Sequence, residues 1–236
     1  ELIAYVNKLS VDFIAMEEVS SGVVNLSKTN DDLFTVLKGK LKMHGICESD
    51  FAISGNKGTF GSAVYSKMPI LEKYVTRLKA FTVRPKHIDS AKNAQACPRH
   101  ILTAKVQYLG KPLYILTWHG AWTAPPTDTV ETKRQADIAC AYLDKLNAED
   151  KPFILGCDLN AIYGNYVVDE VEKRTINLMR SINVKMTTHP LLHRITPKGY
   201  AVDYIFTSRH FKATKVEVPL VNVSDHLPVY AELELV

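Results

Sequence analysis

No part of this chain approaches the roughly 20 consecutive apolar residues that a membrane-spanning helix requires, and no secretory leader pattern opens it. Cysteine is sparse. Cys47, Cys97, Cys140 and Cys157 lie far apart with no Cys-x-x-Cys pair, which argues against zinc-ribbon and dithiol redox chemistry. Cys140 falls within an apolar helical pattern and Cys157 ends an apolar run, so both read as small buried hydrophobes, and a reducing, cytoplasmic setting is expected. Low-complexity segments, internal repeats and linkers are absent as well. The first residue is not Met and sits inside a helical pattern, so the native N-terminus is expected to lie upstream.

What is present is ordinary in bulk. The chain has 236 residues, 46% hydrophobic and 23% charged, the balance of a soluble globular protein that fits one large domain. The net charge of +4 conceals an asymmetry: nine Lys/Arg face two acids between Lys67 and Lys105, a local +7 against −3 elsewhere. Such a stretch suits a polyanionic partner, and a solvated face of two strands explains it equally well.

Periodicity divides the chain into alternating elements. Leu2, Ile3, Val6 and Leu9 have helical spacing, and Asp12 to Met16 reads as a short strand leading into Glu17, Glu18 and Val19. Asn30 or Asp31 is expected to cap a helix through Leu37 that Gly39 ends, and Gly55 to Gly58 is a turn signal. Strands are expected over Phe60 to Ser66, Leu71 to Thr76, Arg99 to Tyr108 and Leu113 to Trp118, the last two joined by a hairpin at Gly110 to Pro112. Asp128 and Glu131 resemble a capping pair ahead of an apolar helical stripe from Val130 to Leu146. A strand at 153 to 157 follows, then a helix over Val168 to Ser181. Strands over Val202 to Phe206, Thr214 to Val218 and Leu227 to Leu233 close the chain. Helices between groups of strands imply an α/β domain whose sheets are covered on their outer faces.

The most informative stretch is Phe153 to Asn160. A buried apolar run passes through Gly156 into Asp158 and Asn160, which point the same way on an extended chain. A carboxylate and a carboxamide at a strand end can orient a water and hold a phosphate or metal. The same pair also makes turns and caps. Three more polar clusters end apolar runs: Glu17 with Glu18, His119, and Asp203 with Ser224, Asp225 and His226. Singly these read as solvated surface, a core histidine and a strand cap. Together they mark strand ends, where layered α/β folds place their sites.

Their order resembles the endonuclease/exonuclease/phosphatase superfamily, which includes deoxyribonuclease I, exonuclease III and sphingomyelinases. Phe13 to Val19 looks like the family's Gln-Glu-Val strand, with Glu17 in the Gln place. Gly61-Ser62-Ala63-Val64-Tyr65-Ser66-Lys67-Met68-Pro69-Ile70 matches its Gly-x-Ala-apolar-x-Ser-x-x-Pro-Ile signature. Leu116 to Gly120 resembles the histidine motif. Cys157-Asp158-Leu159-Asn160 resembles Gly-Asp-Phe-Asn, with Cys157 and Leu159 as departures. Val202-Asp203-Tyr204-Ile205-Phe206 and Ser224-Asp225-His226-Leu227-Pro228 complete the set. His119-Gly120 followed by Asp128-Thr129 and Arg134-Gln135 is also similar to a bacterial hydrolase subgroup. The family's opening strand, whose Asn touches the phosphate, has no counterpart.

The resemblance implies a DNase I-like α/β fold, a four-layer α/β/β/α sandwich of two mixed sheets covered by helices, formed by one domain over residues 1–236 without its first strand. It implies a Mg²⁺-dependent phosphodiesterase, with Mn²⁺ as the alternative ion and DNA as the expected substrate. Glu18 is the first-choice ligand and Asp225 the second. His226, oriented by Asp203, would act as general base or steer the phosphate. Asp158 would position or deprotonate water, Asn160 would donate to a phosphate oxygen, and His119 would contact the phosphate and protonate the leaving oxygen. A phospholipid or small phosphoester substrate is the first alternative, and a non-catalytic nucleic-acid binder the second. A monomer is expected.

Overall fold

A computed structural model of the chain describes residues 1–22, 25–26, 29–30, 32–52, 58–79, 97–193 and 199–236. The expected turn at Gly55 to Gly58 falls mostly outside them. The elements run α1 (Leu2–Leu9), β1 (Phe13–Ser21), β2 (Asn25–Leu26), β3 (Thr29–Asn30), α2 (Leu33–Leu41), β4 (His44–Ala52), β5 (Thr59–Ser66), β6 (Ile70–Lys79), β7 (Arg99–Tyr108) and β8 (Lys111–His119). Then come α3 (Val130–Ala148), β9 (Phe153–Asp158), α4 (Tyr166–Glu172), β10 (Ile176–Asn177), a 3-10 turn (Leu178–Ser181), β11 (Asp203–Thr207), β12 (Phe211–Glu217) and β13 (Tyr230–Leu235).

Three apolar clusters separate four layers. Val19, Leu37, Ala63 and Tyr65 pack with Leu2, Ile3 and Phe34 between the helices α1 and α2 and the sheet β1-β5-β4. Val64, Leu102, Ala104, Ile115, Phe13 and Ile46 fill the space between that sheet and the six-stranded sheet β10-β11-β9-β8-β7-β6. Leu116, Trp118, Leu155 and Phe206 pack with Ala139, Leu143 and Val168 of α3 and α4 on the far side. Strand alternation accounts for the division. Leu113 and Ile115 face one layer, whereas Tyr114, Leu116 and Trp118 face the other, as a two-residue period demands. The six-stranded sheet is mixed, with β8 parallel to β9, and the three-stranded sheet is antiparallel throughout.

The two sheets approach closely at Gly156, where an added Cβ would lie 2.7 Å from Ala15 Cβ. Among the described residues β1 pairs only with β5 and β13 only with β12. An apolar cleft of about 550 Å³, lined by Phe13, Ala15, Phe211 and Leu233, lies between these edges.

Several local expectations change. Strand β4 carried no clear alternation and was not foreseen. The cap of α2 is Asp32, whose side chain accepts from Thr35 N at 2.9 Å, and the helix passes Gly39 to end at Leu41. Thr129, not Asp128, caps α3, through a reciprocal box with Thr132, while Asp128 accepts from Tyr166 N at 3.0 Å. The helix expected over Val168 to Ser181 stops at Glu172, and β10 and the 3-10 turn take the rest. The β7–β8 turn is Leu109-Gly110, both at positive φ, so Pro112 lies inside β8 opposite Gln107.

Candidate active site

Sheet register assembles the core of the site. Parallel pairing sets His119 beside Asp158, and antiparallel pairing sets Asp203 on the other side of Asp158. Three polar strand ends thus share one rung across β8, β9 and β11. The Ser224 to Leu227 segment adds His226, whose Nδ1 lies 2.8 Å from Asp203 Oδ2. Facing a carboxylate, that nitrogen carries the hydrogen and donates it. Ligand atoms of Asp158, Asp203 and His226 lie within 4.8 Å of one another. Among the described residues this is the one group of three or more His, Cys, Asp or Glu side chains close enough to hold an ion.

The expected ligands Glu18 and Asp225 are not part of that group. Glu18 Oε1 lies 3.9 Å from His119 Nε2, and exposed Asp225 accepts from Ser224 Oγ at 3.3 Å. A bulge in β1 between Met16 and Val19 sends the adjacent Glu17 and Glu18 to different partners. Glu18 takes φ 58°, a conformation few non-glycine residues adopt. Glu17 turns inward and accepts from Thr117 Oγ1, while Glu18 reaches the site rim with its side chain 63% exposed.

Asn160 also sits at positive φ, which Asn tolerates because its side chain bonds locally. Its backbone N–H donates to Asp158 Oδ1 at 2.8 Å, and its Nδ2 donates to Gly120 O at 3.3 Å. Gly120 N in turn donates to Asp158 O at 2.7 Å. The loops leaving β8 and β9 are thereby tied together.

Burial sets the protonation states. Withdrawal from water, then the Asp203 charge, pushes the Asp158 carboxyl up to about 7. Withdrawal likewise raises Glu17 to about 8, against the pull of the Thr117 hydroxyl. His119, 6% exposed, is held well below the ordinary imidazole value by burial first and then by the Arg99 charge. His226 goes the other way: burial lowers it, but the hydrogen bond and charge of Asp203, with Asp158 and Asp225, raise it to about 10. One histidine is neutral at pH 7, the other cationic.

Several participants were invisible in the sequence. Thr187 Oγ1 donates to Asp203 Oδ2 and accepts from Val202 N and Asp203 N. The His193 ring packs edge-on against His226, centroids 5.3 Å apart. Buried His189 holds that turn, its Nδ1 accepting from Leu191 N and Leu192 N at 3.1 and 3.2 Å. No periodicity or spacing marks Thr187 and His193, because their partners are distant in the chain.

The basic stretch also resolves differently. Lys67 pairs with Asp12, Lys73 and Arg77 with Glu48, Lys79 with Glu131, Lys105 with Glu72, and Arg99 with Asp50. All six described cations of the stretch therefore face a carboxylate; Arg84, Lys86 and Lys92 lie outside the described residues.

A fold of sandwiched sheets with carboxylates and histidines at one strand rung defines a phosphoesterase-type site. Residues 1–226 match the Endonuclease/Exonuclease/phosphatase family, and the chain belongs to that family. Among solved structures, an endonuclease/exonuclease/phosphatase from Bacteroides vulgatus is similar at 18% identity and TM-score 0.74, covering 99% of this chain and 88% of that one. A mannosyl-6-phosphatase from Bacteroides thetaiotaomicron is similar at 16% identity and TM-score 0.71, covering 99% and 89%. The human Nocturnin catalytic domain with bound sulfate is similar at 16% identity and TM-score 0.69, covering 100% and 85%. No curated protein matches. No helix among the described residues is long and apolar enough to cross a membrane.

Proposed function

We propose that this protein is a metal-dependent phosphodiesterase, with DNA as the leading substrate. The observation that carries the reading is the convergence of Asp158, Asp203 and His226 within 4.8 Å, with His119 on the same rung. The carboxylate oxygens of Asp158 and Asp203 fit Mg²⁺, with Mn²⁺ as the alternative, since hard cations take such ligands, and Glu18 and Asp225, outside that group, would lend further oxygens from the rim. A bound cation supplies charge neutralisation on the phosphate oxygens as the diester bond breaks.

The protein groups do the rest. With its proton held to about 10, His226 is an imidazolium at neutral pH. It would steer the phosphate and serve as proton donor. Asp158, on the same rung as His119, would orient the attacking water. Neutral His119 contacts a phosphate oxygen, and the Asn160 amide donates to another.

A second reading, a small or lipid phosphoester, is favoured by the pairing of the described basic residues, which weakens the case for a DNA-binding face. One assay panel separates the two: plasmid, abasic duplex, RNA, sphingomyelin, mannose 6-phosphate and bis-p-nitrophenyl phosphate, with Mg²⁺ or with EDTA. Cleavage that EDTA removes is expected, together with a loss of at least about 100-fold in Asp158→Ala and His226→Ala. Turnover unaffected by EDTA, or retained in both variants, would defeat the reading.

A further inference from the structure

Beneath the site lies a charged cluster that the reaction described above does not use. Asp50, Arg99 and His100 are 7%, 5% and 1% exposed, and buried charges persist only where partners hold them. Arg99 Nε donates to Gly120 O at 3.0 Å, and its Nη1 reaches Asp50 Oδ2 at 3.4 Å and Pro98 O at 3.3 Å. His100 Nδ1 stands 2.8 Å from Asp50 Oδ1.

The carbonyl that Arg99 grips is the one Asn160 uses. Gly120 O accepts Arg99 Nε at 3.0 Å and Asn160 Nδ2 at 3.3 Å, matching the two lone pairs of a carbonyl oxygen. The peptide has no slack. Gly120 N is bound to Asp158 O at 2.7 Å, and a Cβ on Gly120 would approach Leu159 O to 2.2 Å. The orientation of the Asn160 amide is therefore fixed on one side by a guanidinium that Asp50 holds in place. A lysine cannot reproduce this, because one ammonium lacks the planar fork that reaches two acceptors.

We propose that Arg99 is a positioning residue for the Asn160 amide, acting through the Gly120 carbonyl and held by Asp50. The kinetic consequence rests on the hydrolase reading above; the structural coupling does not. Arg99 is 5% exposed, so it acts through the Gly120 carbonyl and not by contact with substrate. A buried ion pair serving only stability would leave Asn160 unaffected.

The test is a double-mutant cycle with Arg99→Lys and Asn160→Ala, assayed on bis-p-nitrophenyl phosphate with Mg²⁺. Each single change is expected to lower kcat/KM about tenfold or more, and the double variant to fall no more than about threefold below the worse single. Residues sharing one network are non-additive in this way. Losses that simply multiply would overturn the proposal. The second readout needs no turnover: the side-chain amide signals of Asn160 in an amide-correlation NMR spectrum of the metal-free protein. They are expected to shift in Arg99→Lys and to stay in place in Arg77→Lys, whose guanidinium pairs with Glu48 at the surface. Asn160 signals unmoved by Arg99→Lys would overturn the proposal whatever the kinetics show. Absence of wild-type hydrolysis would count against the hydrolase reading alone. If Arg99→Lys does not fold, Asp50→Asn loosens the same guanidinium and must shift the same signals.

Discussion

Asp203 holds His226 and crowds Asp158, so one carboxylate helps both groups keep their protons, leaving the imidazole charged and the carboxyl neutral to higher pH. Its charge and hydrogen bond keep the His226 proton to about 10 and help push Asp158 up to about 7. Asp203→Asn removes both influences at nearly constant shape. The imidazole then keeps its burial and loses its main compensation, so its proton is released at least about two units earlier. If a cationic His226 steers the phosphate, the alkaline limb of the kcat/KM profile moves down by a similar interval. Activity at pH 8 falls further than activity at pH 5.5. A profile whose alkaline limb stays in place in Asp203→Asn would assign the proton-donor role elsewhere, with His119 the next group to examine. The residues of this relay were legible in the sequence for a physical reason. Asp158, His119 and Asp203 each interrupt an apolar run, which leaves a mark in one dimension. Thr187, Thr117 and Arg99 were not legible as site residues, because a hydroxyl or guanidinium that bonds across many residues of chain leaves no local trace.

At the scale of elements, the clearest strand to read was one buried on both faces. Phe153 to Cys157 is a nearly continuous apolar run because it lies between two layers, Phe153, Leu155 and Cys157 facing one and Ile154 the other. Strand β4 escaped notice because its residues are mostly half-exposed and its partners are polar in places. The segment after Val168 misled because valines and leucines at helical spacing also fit a short helix followed by an edge strand and a 3-10 turn. The bulge that presents Glu17 and Glu18 depends on the register against β5, which no single-strand pattern encodes. Gly156 is one point of close approach between the two sheets, and its smallness is testable. In Gly156→Ala the new methyl collides with Ala15 Cβ at 2.7 Å, an overpacking expected to cost roughly 1–3 kcal/mol. Urea unfolding should show the midpoint falling, and Ala15→Gly in the same chain should restore part of the loss. If Gly156→Ala is neutral, or the second change adds a further loss of its own, the close approach of β1 to β9 is not what fixes this residue.

For the molecule as a whole, the site couples stability to pH and to the cation. Glu17, Asp158 and His226 all hold their protons to higher pH in the folded chain, to about 8, 7 and 10, than the ordinary values of about 4.3, 3.9 and 6.5 for such groups when unfolded. Between each pair of values the folded state binds more protons than the unfolded one, so stability falls as pH rises. The contribution of each group is fully present below its unfolded value and gone above its folded value. In EDTA the melting temperature should therefore decline from about pH 5 to pH 9. A divalent cation competes with protons for the same carboxylates and binds only the folded arrangement, so it adds stability by mass action. Its effect should be small near pH 5, where Asp158 and Glu17 are protonated, and several degrees larger near pH 8. Thermal melts at both pH values, with and without Mg²⁺, give the comparison directly, and Asp158→Asn should remove most of the pH 8 increment. A Mg²⁺ increment equal at the two pH values, or one that survives Asp158→Asn, would place the cation away from the rung formed by His119, Asp158 and Asp203.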